Sequence, residues 1–290
     1  MSVISKQTYI IEDVFELLPF LLETITGKSR NSVKSILKRG QVFVNGKSVT
    51  QHNYLLAPGQ TVSIQSNLTA RKKSVLSGVT ILHEDDDIIV INKDAGLLTV
   101  AAKDPEEDTA YRQVTDYVKE GNRKNRIFIV HRLDRDTSGV MLFAKSEAVK
   151  NTLQKDWSTL VEQRVYTALV EGEVKTSADT ITSWLTESKS TQVYSSPFDN
   201  GGKLAVTKYR KIKSKPDYSL LEVELETGRK NQIRVHMQSI GHPVVGDMKY
   251  GAKTNPMKRL GLHATTLSVT HPRTGELKTY TARVPGNFHI

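Results

Sequence analysis

From about residue 79 onward the chain is a succession of short apolar alternations, each broken within a few residues by turn-forming side chains, and few folds accept that pattern. The segments read VTILHEDDDIIVIN, RIFIV, GVMLFAK, RVYTALVEG, YSLLEVELETG and QIRVHM. Alternation with a period of two over so few residues marks half-buried strands, and we count QIRVHM among them. Helix signals are sparse, the clearest being SEAVKNTLQKDW. Residues 79–290 are therefore expected to form an α+β domain on a mixed, mainly antiparallel sheet.

The preceding segment has a different grammar. In residues 12–25, Val14, Leu17, Leu18, Leu21, Leu22 and Ile25 recur at helical spacing, with Pro19 either kinking the segment or marking a helix start. A second helix is expected to open at Ser29 as N-cap, to bury Val33, Ile36 and Leu37, and to end at Gly40. Arg30, Lys34 and Lys38 then fall at i, i+4 and i+8 and form one basic ridge. In QVFVNGKSV, Val42 and Val44 alternate with polar residues ahead of Asn45-Gly46, the favoured dipeptide of a type I′ hairpin. The stretch from residue 65 to 78, QSNLTARKKSVLSG, is polar and aperiodic. The organisation expected is a small domain at 1–66, a linker at 67–78 and a large domain at 79–290.

Charge supports a polyanionic partner. Lys and Arg number 41 against 31 Asp and Glu, for a net charge of +10. Residues 1–77 hold ten of the basic side chains and only Glu12, Asp13, Glu16 and Glu23 as acids. Cations gathered in one segment release counterions when they meet phosphates. The chain has no cysteine, which excludes disulfides, thiolate nucleophiles and Cys-based zinc sites and fits a reducing cytoplasm. His131, His236, His242 and His263 have no familiar metal-ligand spacing and are expected to be structural. No apolar run approaches the roughly 20 residues a membrane span needs, and the first residues lack a signal-peptide layout, so the cytosol is expected.

The densest polar cluster is HRLDRDTSG, His131 to Gly139, between the apolar runs RIFIV and VMLFAKS. One reading is a salt-bridged loop with Asp136 as a cap and Gly139 closing the turn. Another takes Asp134-Arg135-Asp136-Thr137 as the Asp-x-Asp-x-Thr of a magnesium-dependent phosphotransferase, although His131-Arg132 separates the first Asp from its strand.

The nine residues also resemble, at every fixed position, the His-Arg-Leu-Asp-x-x-Thr-Ser-Gly signature of the pseudouridine synthases typified by the large-subunit rRNA enzymes. Tyr166 in RVYTALVEG and TGRKNQIRVH, Thr227 to His236, match further family segments in order. GHPVVGDMKYG, GLHA and HPRTGE extend the likeness to about residue 285. The N-terminal segment, with Ser29-Arg30, Gly40-Gln41-Val42 and Val44-Asn45-Gly46-Lys47, is similar to the αL-type RNA-binding domain.

This resemblance implies a uridine isomerase with Asp134, Tyr166 and Arg234 as catalytic residues. Arg132 would take part in displacing the target base from the RNA stack, and Arg30, Lys34 and Lys38 would meet the RNA phosphates; Leu133 and Ile233 read as substrate-pocket walls or, equally, as plain core. The partner implied is RNA, rRNA or alternatively tRNA, acted on by a monomer; a non-catalytic RNA-binding or ribosome-assembly role is the other alternative. No cofactor is implied, because isomerisation changes neither redox state nor composition. Asp134 must be ionised whether it attacks carbon 1′, stabilises an oxocarbenium-like centre or removes the proton from carbon 2′, and Arg234 beside it favours that form. The chain departs from the family pattern at Lys230-Asn231, where Thr-His is expected, and at Asp94, where Pro is expected. Both departures are expected to bear on RNA contacts and target choice without touching Asp134, Tyr166 or Arg234.

Overall fold

A computed structural model describes residues 6–27, 29–38, 40–65, 76–101 and 107–288. The chain divides into two compact units, Met1–Lys73 and Ser74–Ile290. Most of the stretch expected as a linker lies outside the described residues. Its last residues are built into the second unit: the Ser77 N–H donates to Gln113 Oε1 at 2.8 Å and the Ser77 carbonyl accepts from Gln113 Nε2 at 2.9 Å.

In the first unit, strands β1 (Lys6–Ile10), β3 (Val42–Val44), β4 (Lys47–Ser48) and β6 (Thr61–Gln65) form a sheet in the order β1-β6-β3-β4. The short strands β2 (Phe15–Glu16) and β5 (Leu55–Leu56) pair separately. Helix α1 (Leu17–Thr24) begins two residues before Pro19, which thus sits in the first turn, where no intrahelical bond is lost. Helix α2 (Arg30–Lys38) is opened by Ser29, whose Oγ accepts the Ser32 N–H at 3.3 Å. Leu17, Leu21, Val33, Leu37, Val42, Val44, Leu56 and Val62 make one apolar core. Asn45 (φ 48°) and Gly46 (φ 78°) both take the positive φ of a type I′ turn between β3 and β4.

The second unit is built on strands β7 (Val79–Glu84), β8 (Ile88–Lys93), β9 (Phe128–Ile129), β10 (Ser138–Ala144), β11 (Val161–Glu171), β12 (Ala178–Glu187), β13 (Val193–Ser196), β14 (Lys203–Ser214), β15 (Tyr218–Leu225), β16 (Leu262–Thr270) and β17 (Leu277–Thr281). They form one eleven-stranded sheet in the order β13-β12-β14-β15-β11-β16-β10-β8-β7, with β17 against β16 and β9 against β10. Among the described strands every pairing is antiparallel except β10 with β16, so the expected mixed, mainly antiparallel α+β domain is what the chain forms.

Every residue of β10 is buried, because the sheet is covered on both sides there. Val114 and Val118 of α3 (Ala110–Gly121) pack with Ile89, Ile91, Met141 and Phe143. Leu153 of α4 (Glu147–Lys155) and the partly buried Trp157 and Leu160 of the short α5 (Trp157–Leu160) pack with Ile88, Val90, Val140 and Leu142.

One expectation fails. QIRVHM is not a strand but most of α6 (Gln232–Ser239), which buries Gln232, Ile233, Val235, His236 and Met237. A helix wedged against several neighbours has no polar face to give it a period of 3.6, and Ile233, Val235 and Met237 leave an apparent period of two.

Candidate active site

The parallel β10–β16 contact sets the position of the polar cluster. Gly139 opposes Ala264 there with φ 118°, and a Cβ at 139 would lie 2.1 Å from the Ala264 carbonyl oxygen. Gly139 therefore does not close a turn; it lets two backbones approach where β10 leaves the loop. On its other side Ala264 opposes Tyr166 of β11, beside a register shift, so the loop and the tyrosine reach the same edge through one residue of β16.

The loop itself is strapped from below. Lys93, fully buried at the end of β8, donates Nζ to the carbonyls of Asp94 (2.9 Å), Leu97 (2.7 Å) and Arg135 (2.9 Å). Burial pulls its ammonium down to about 8, against the nearby charges of Asp136 and Asp134. Thr99 Oγ1 donates to the Leu133 carbonyl at 2.8 Å, and the Thr137 N–H closes a turn on the Asp134 carbonyl at 3.2 Å. Arg132, Arg135 and Asp136 make no ion pair among the described residues, so this is not a salt-bridged loop. The ion pair that the loop makes among the described residues runs outward, from Asp134 Oδ2 to Arg234 Nη1 at 3.1 Å. Nor does it resemble a phosphotransferase strand end, since β10 follows the loop and pairs antiparallel with β8 over most of its length.

Arg234 is the centre of the arrangement. Its Nε and Nη2 donate to Asp247 Oδ2 and Oδ1 at 2.6 and 2.8 Å, while Nη1 is shared between Asp134 and Asn231 Oδ1, the latter at 3.0 Å. The Tyr250 ring lies 4.9 Å from the guanidinium carbon, and its hydroxyl accepts from Asn231 Nδ2 at 2.9 Å. Burial alone would lower the guanidinium pKa, but the hydrogen bond and charge of Asp247, with Asp134 added, hold it above its ordinary value. The planar fork thus has its orientation fixed by a buried carboxylate, with one nitrogen left to meet Asp134.

Asn231 begins α6 in a left-handed conformation (φ 55°) that asparagine tolerates better than most residues. The expectation that Lys230-Asn231 stays clear of the catalytic candidates is thus overturned for Asn231, which bonds Arg234 directly. Lys230 points elsewhere and pairs with Glu187. At the other departure Asp94 uses a group proline lacks: its N–H donates to the Gly78 carbonyl at 2.8 Å.

These residues surround a cavity of about 420 Å³, lined by Arg132, Leu133, Asp134, Tyr166, Ile233 and Arg234 among others. Asp134 has about a third of its side chain exposed to it, and Arg132 is exposed, whereas Leu133 and Ile233 are buried walls. Burial raises the Tyr166 phenol to about 12, with Arg164 opposing the shift and Asp134 adding to it, so the hydroxyl keeps its proton at neutral pH. The structure brings together the six candidate residues that lie in the second unit, Arg132, Leu133, Asp134, Tyr166, Ile233 and Arg234. Arg30 and Lys34, exposed on α2, belong to the other unit, and the Lys38 side chain lies outside the described residues.

The four histidines are spent on protein bonds. His131 Nε2 meets the Leu142 N–H at 3.0 Å, His236 lies between Ser183 and Thr207, His242 meets the Glu171 carbonyl, and His263 meets Ser138. Burial takes His131 and His236 down to about 4, with Arg164 helping at His131. Among the described residues one cluster has metal-compatible spacing, Asp85, Asp87 and His271. His271 Nδ1 accepts two backbone N–H groups, from Arg273 and Thr274, which leaves the proton on Nε2 facing the carboxylates, and Arg273 Nε already occupies Asp87 at 2.5 Å. Those partners suit a structural turn better than a metal ligand set.

Asp247 was the functional candidate hardest to single out from sequence. It lies in the GHPVVGDMKYG segment, yet nothing local says that its carboxylate reaches back 13 residues to Arg234.

A carboxylate held by one arm of a largely buried arginine, in a cavity it shares with a protonated tyrosine, is suited to chemistry at an electron-poor carbon, and the class of protein is given by the chain's relatives, which are RNA uridine isomerases. The family model for RNA pseudouridylate synthases matches residues 87–239. The chain is 34% identical to the uncharacterized RNA pseudouridine synthase YlyB of Bacillus subtilis, over 92% of this chain and 89% of that protein. It is 31% identical to the ribosomal large subunit pseudouridine synthase D of Neisseria meningitidis, over 93% of this chain and 75% of that one. The solved human RNA pseudouridylate synthase domain containing 4 shares the fold, with a TM-score of 0.60 at 23% identity, covering 72% of this chain and 89% of that one. The chain belongs to the RNA pseudouridylate synthase family.

Proposed function

We propose that the chain converts uridine to pseudouridine at particular sites in large-subunit ribosomal RNA, with Asp134 as the residue that acts on the sugar. The observation that carries this reading is the Asp134–Arg234 pair at 3.1 Å, facing the same cavity as Tyr166. The bond from carbon 1′ to N1 breaks, the base turns, and carbon 1′ joins carbon 5; carbon 5 loses its proton and N1 gains one. Asp134 attacks carbon 1′, stabilises positive charge there, or takes the carbon 2′ proton, and each route uses the carboxylate that Arg234 orients. No redox group or metal is required by that balance.

The target base must first leave its stack, at a cost of a few kcal/mol. Arg132, exposed at the cavity mouth, is suited to fill the vacated space, and Tyr166 offers a ring for the uracil, an interaction of about 1–3 kcal/mol. Leu133 and Ile233 close the sides. The unit Met1–Lys73 acts as an αL-type RNA-binding domain, with Arg30, Lys34 and Lys38 toward phosphates. The substrate assignment is supported by relatives named as large-subunit enzymes. The enzyme is proposed to work as a cytoplasmic monomer. No described helix is long and apolar enough to cross a membrane.

The test uses rRNA and tRNA transcripts carrying tritium at carbon 5 of uracil, with wild type and Asp134→Asn. Tritium release from rRNA by the wild type alone is expected. Release from tRNA alone would move the substrate, and tight binding without release from either would favour a binding or assembly role.

A further inference from the structure

A second cavity, of about 450 Å³, opens beside the first and shares Gly228, Arg229 and Lys230 with it. Its other walls come from the end of β12 (Leu185, Glu187), the start of β13 (Val193) and the turn into β14 (Gly202, Lys203). Both volumes fall in the range of about 300–1,000 Å³ usual for small-molecule sites. Three cations, Lys203, Arg229 and Lys230, face one acid, Glu187, in this cavity.

Glu187 is already paired with Lys230, which leaves Arg229 and Lys203 with no carboxylate partner among the described residues. Arg229 spends Nε on the Leu204 carbonyl at 2.9 Å. That bond fixes the plane of the guanidinium, while its two terminal nitrogens make no protein hydrogen bond among the described residues. An anchored fork with both tips free is the geometry that meets two oxygens of one phosphate. Lys203, at the start of β14 opposite Leu185, adds a second unpaired charge. Leu185 and Val193 are buried beneath and supply an apolar floor.

We propose that this second cavity holds the nucleotide next to the target uridine, with Arg229 and Lys203 on its phosphodiester and the Leu185–Val193 floor against its base or sugar. This rests on the uridine-isomerase reading and adds a subsite to it: the enzyme reads one neighbour of its target while the target itself sits against Tyr166.

The test measures RNA affinity across a salt series for wild type, Lys203→Gln, Arg229→Gln and Arg229→Lys, with thermal unfolding as the control for folding. Each Gln variant should weaken binding about threefold to tenfold and lower the slope of log affinity against log salt by roughly one. Arg229→Lys should keep the slope but lose affinity, because charge remains and the fork does not. With the modified uridine located by tritium release, an uncharged methylphosphonate at the adjoining linkage should weaken wild-type binding and leave Arg229→Gln almost unaffected. A folded Lys203→Gln/Arg229→Gln double variant with wild-type affinity and slope overturns the proposal. Failure of the wild type to modify any transcript would instead overturn the isomerase reading, and the affinity series would still decide whether the cavity takes RNA.

Discussion

The cavity around Asp134 and the ridge of α2 both present arginine, and they use it in opposite ways. Arg234 is 15% exposed and spends its guanidinium on two carboxylates, an amide oxygen and an aromatic face. Arg30 and Lys34 stand in solvent on a helix whose buried side is Val33 and Leu37. Chemistry at one sugar carbon needs a group fixed within a fraction of an ångström, whereas attraction to a phosphate chain needs only charge on a surface that can adapt. The first is destroyed by small displacements; the second erodes gradually.

The sharpest break of this contrast is Asp134→Asn, which should lower turnover by on the order of 10³-fold or more while RNA affinity changes little. Next comes Asp247→Asn. Removing the charge that orients Arg234 should cut turnover by about 10²-fold, and leaving the buried guanidinium half-paired should destabilise the fold by about 3–5 kcal/mol. Turnover at the wild-type level would mean that Asn231 and Tyr250 suffice to aim Arg234. Tyr166→Phe should retain affinity and lose most turnover if the hydroxyl moves a proton, and unchanged turnover would reduce the ring to a stacking wall. With its pKa raised to about 12, the wild-type phenol should give the rate no alkaline step between pH 7 and 10.

Acid should act on stability through His131 and His236. Their folded values near 4 lie below the ordinary 6.5, so the unfolded chain binds more protons between those limits. Stability is then fully present above pH 6.5 and falls as pH drops toward 4, which thermal unfolding at several pH values measures. The smallest effect belongs to the ridge. Arg30→Gln and Lys34→Gln should each flatten the salt dependence of RNA binding by roughly one unit of slope. A collapse in affinity from either would show that the ridge, too, depends on fixed geometry.

How much of this was legible in the sequence follows the same division. The ridge, the Ser29 cap and the Asn45-Gly46 turn are local, and i, i+4 spacing or a dipeptide reveals them. The sheet was legible because alternation is local too. What escaped were relations across the chain. Arg234 lies 100 residues from Asp134, and only the family resemblance paired them beforehand. Nothing local in the sequence shows that the Asn231 side chain turns back from a left-handed residue onto Arg234 of its own helix. Gly139 looked like the end of a turn, and only the parallel crossing of β16 explains it.

Two carboxylates sharing one guanidinium have a further consequence. Asp134, Asp247 and Arg234 together carry one negative charge, set inside a mouth edged by Arg132 and Arg229. On the proposed function, a nucleotide entering this field would be sorted by its own polarity: its anionic phosphate would be retained at the rim and its sugar, electron-poor as the glycosidic bond loosens, would be drawn toward Asp134. The cavity would then distinguish the two ends of a nucleotide before it distinguishes one base from another.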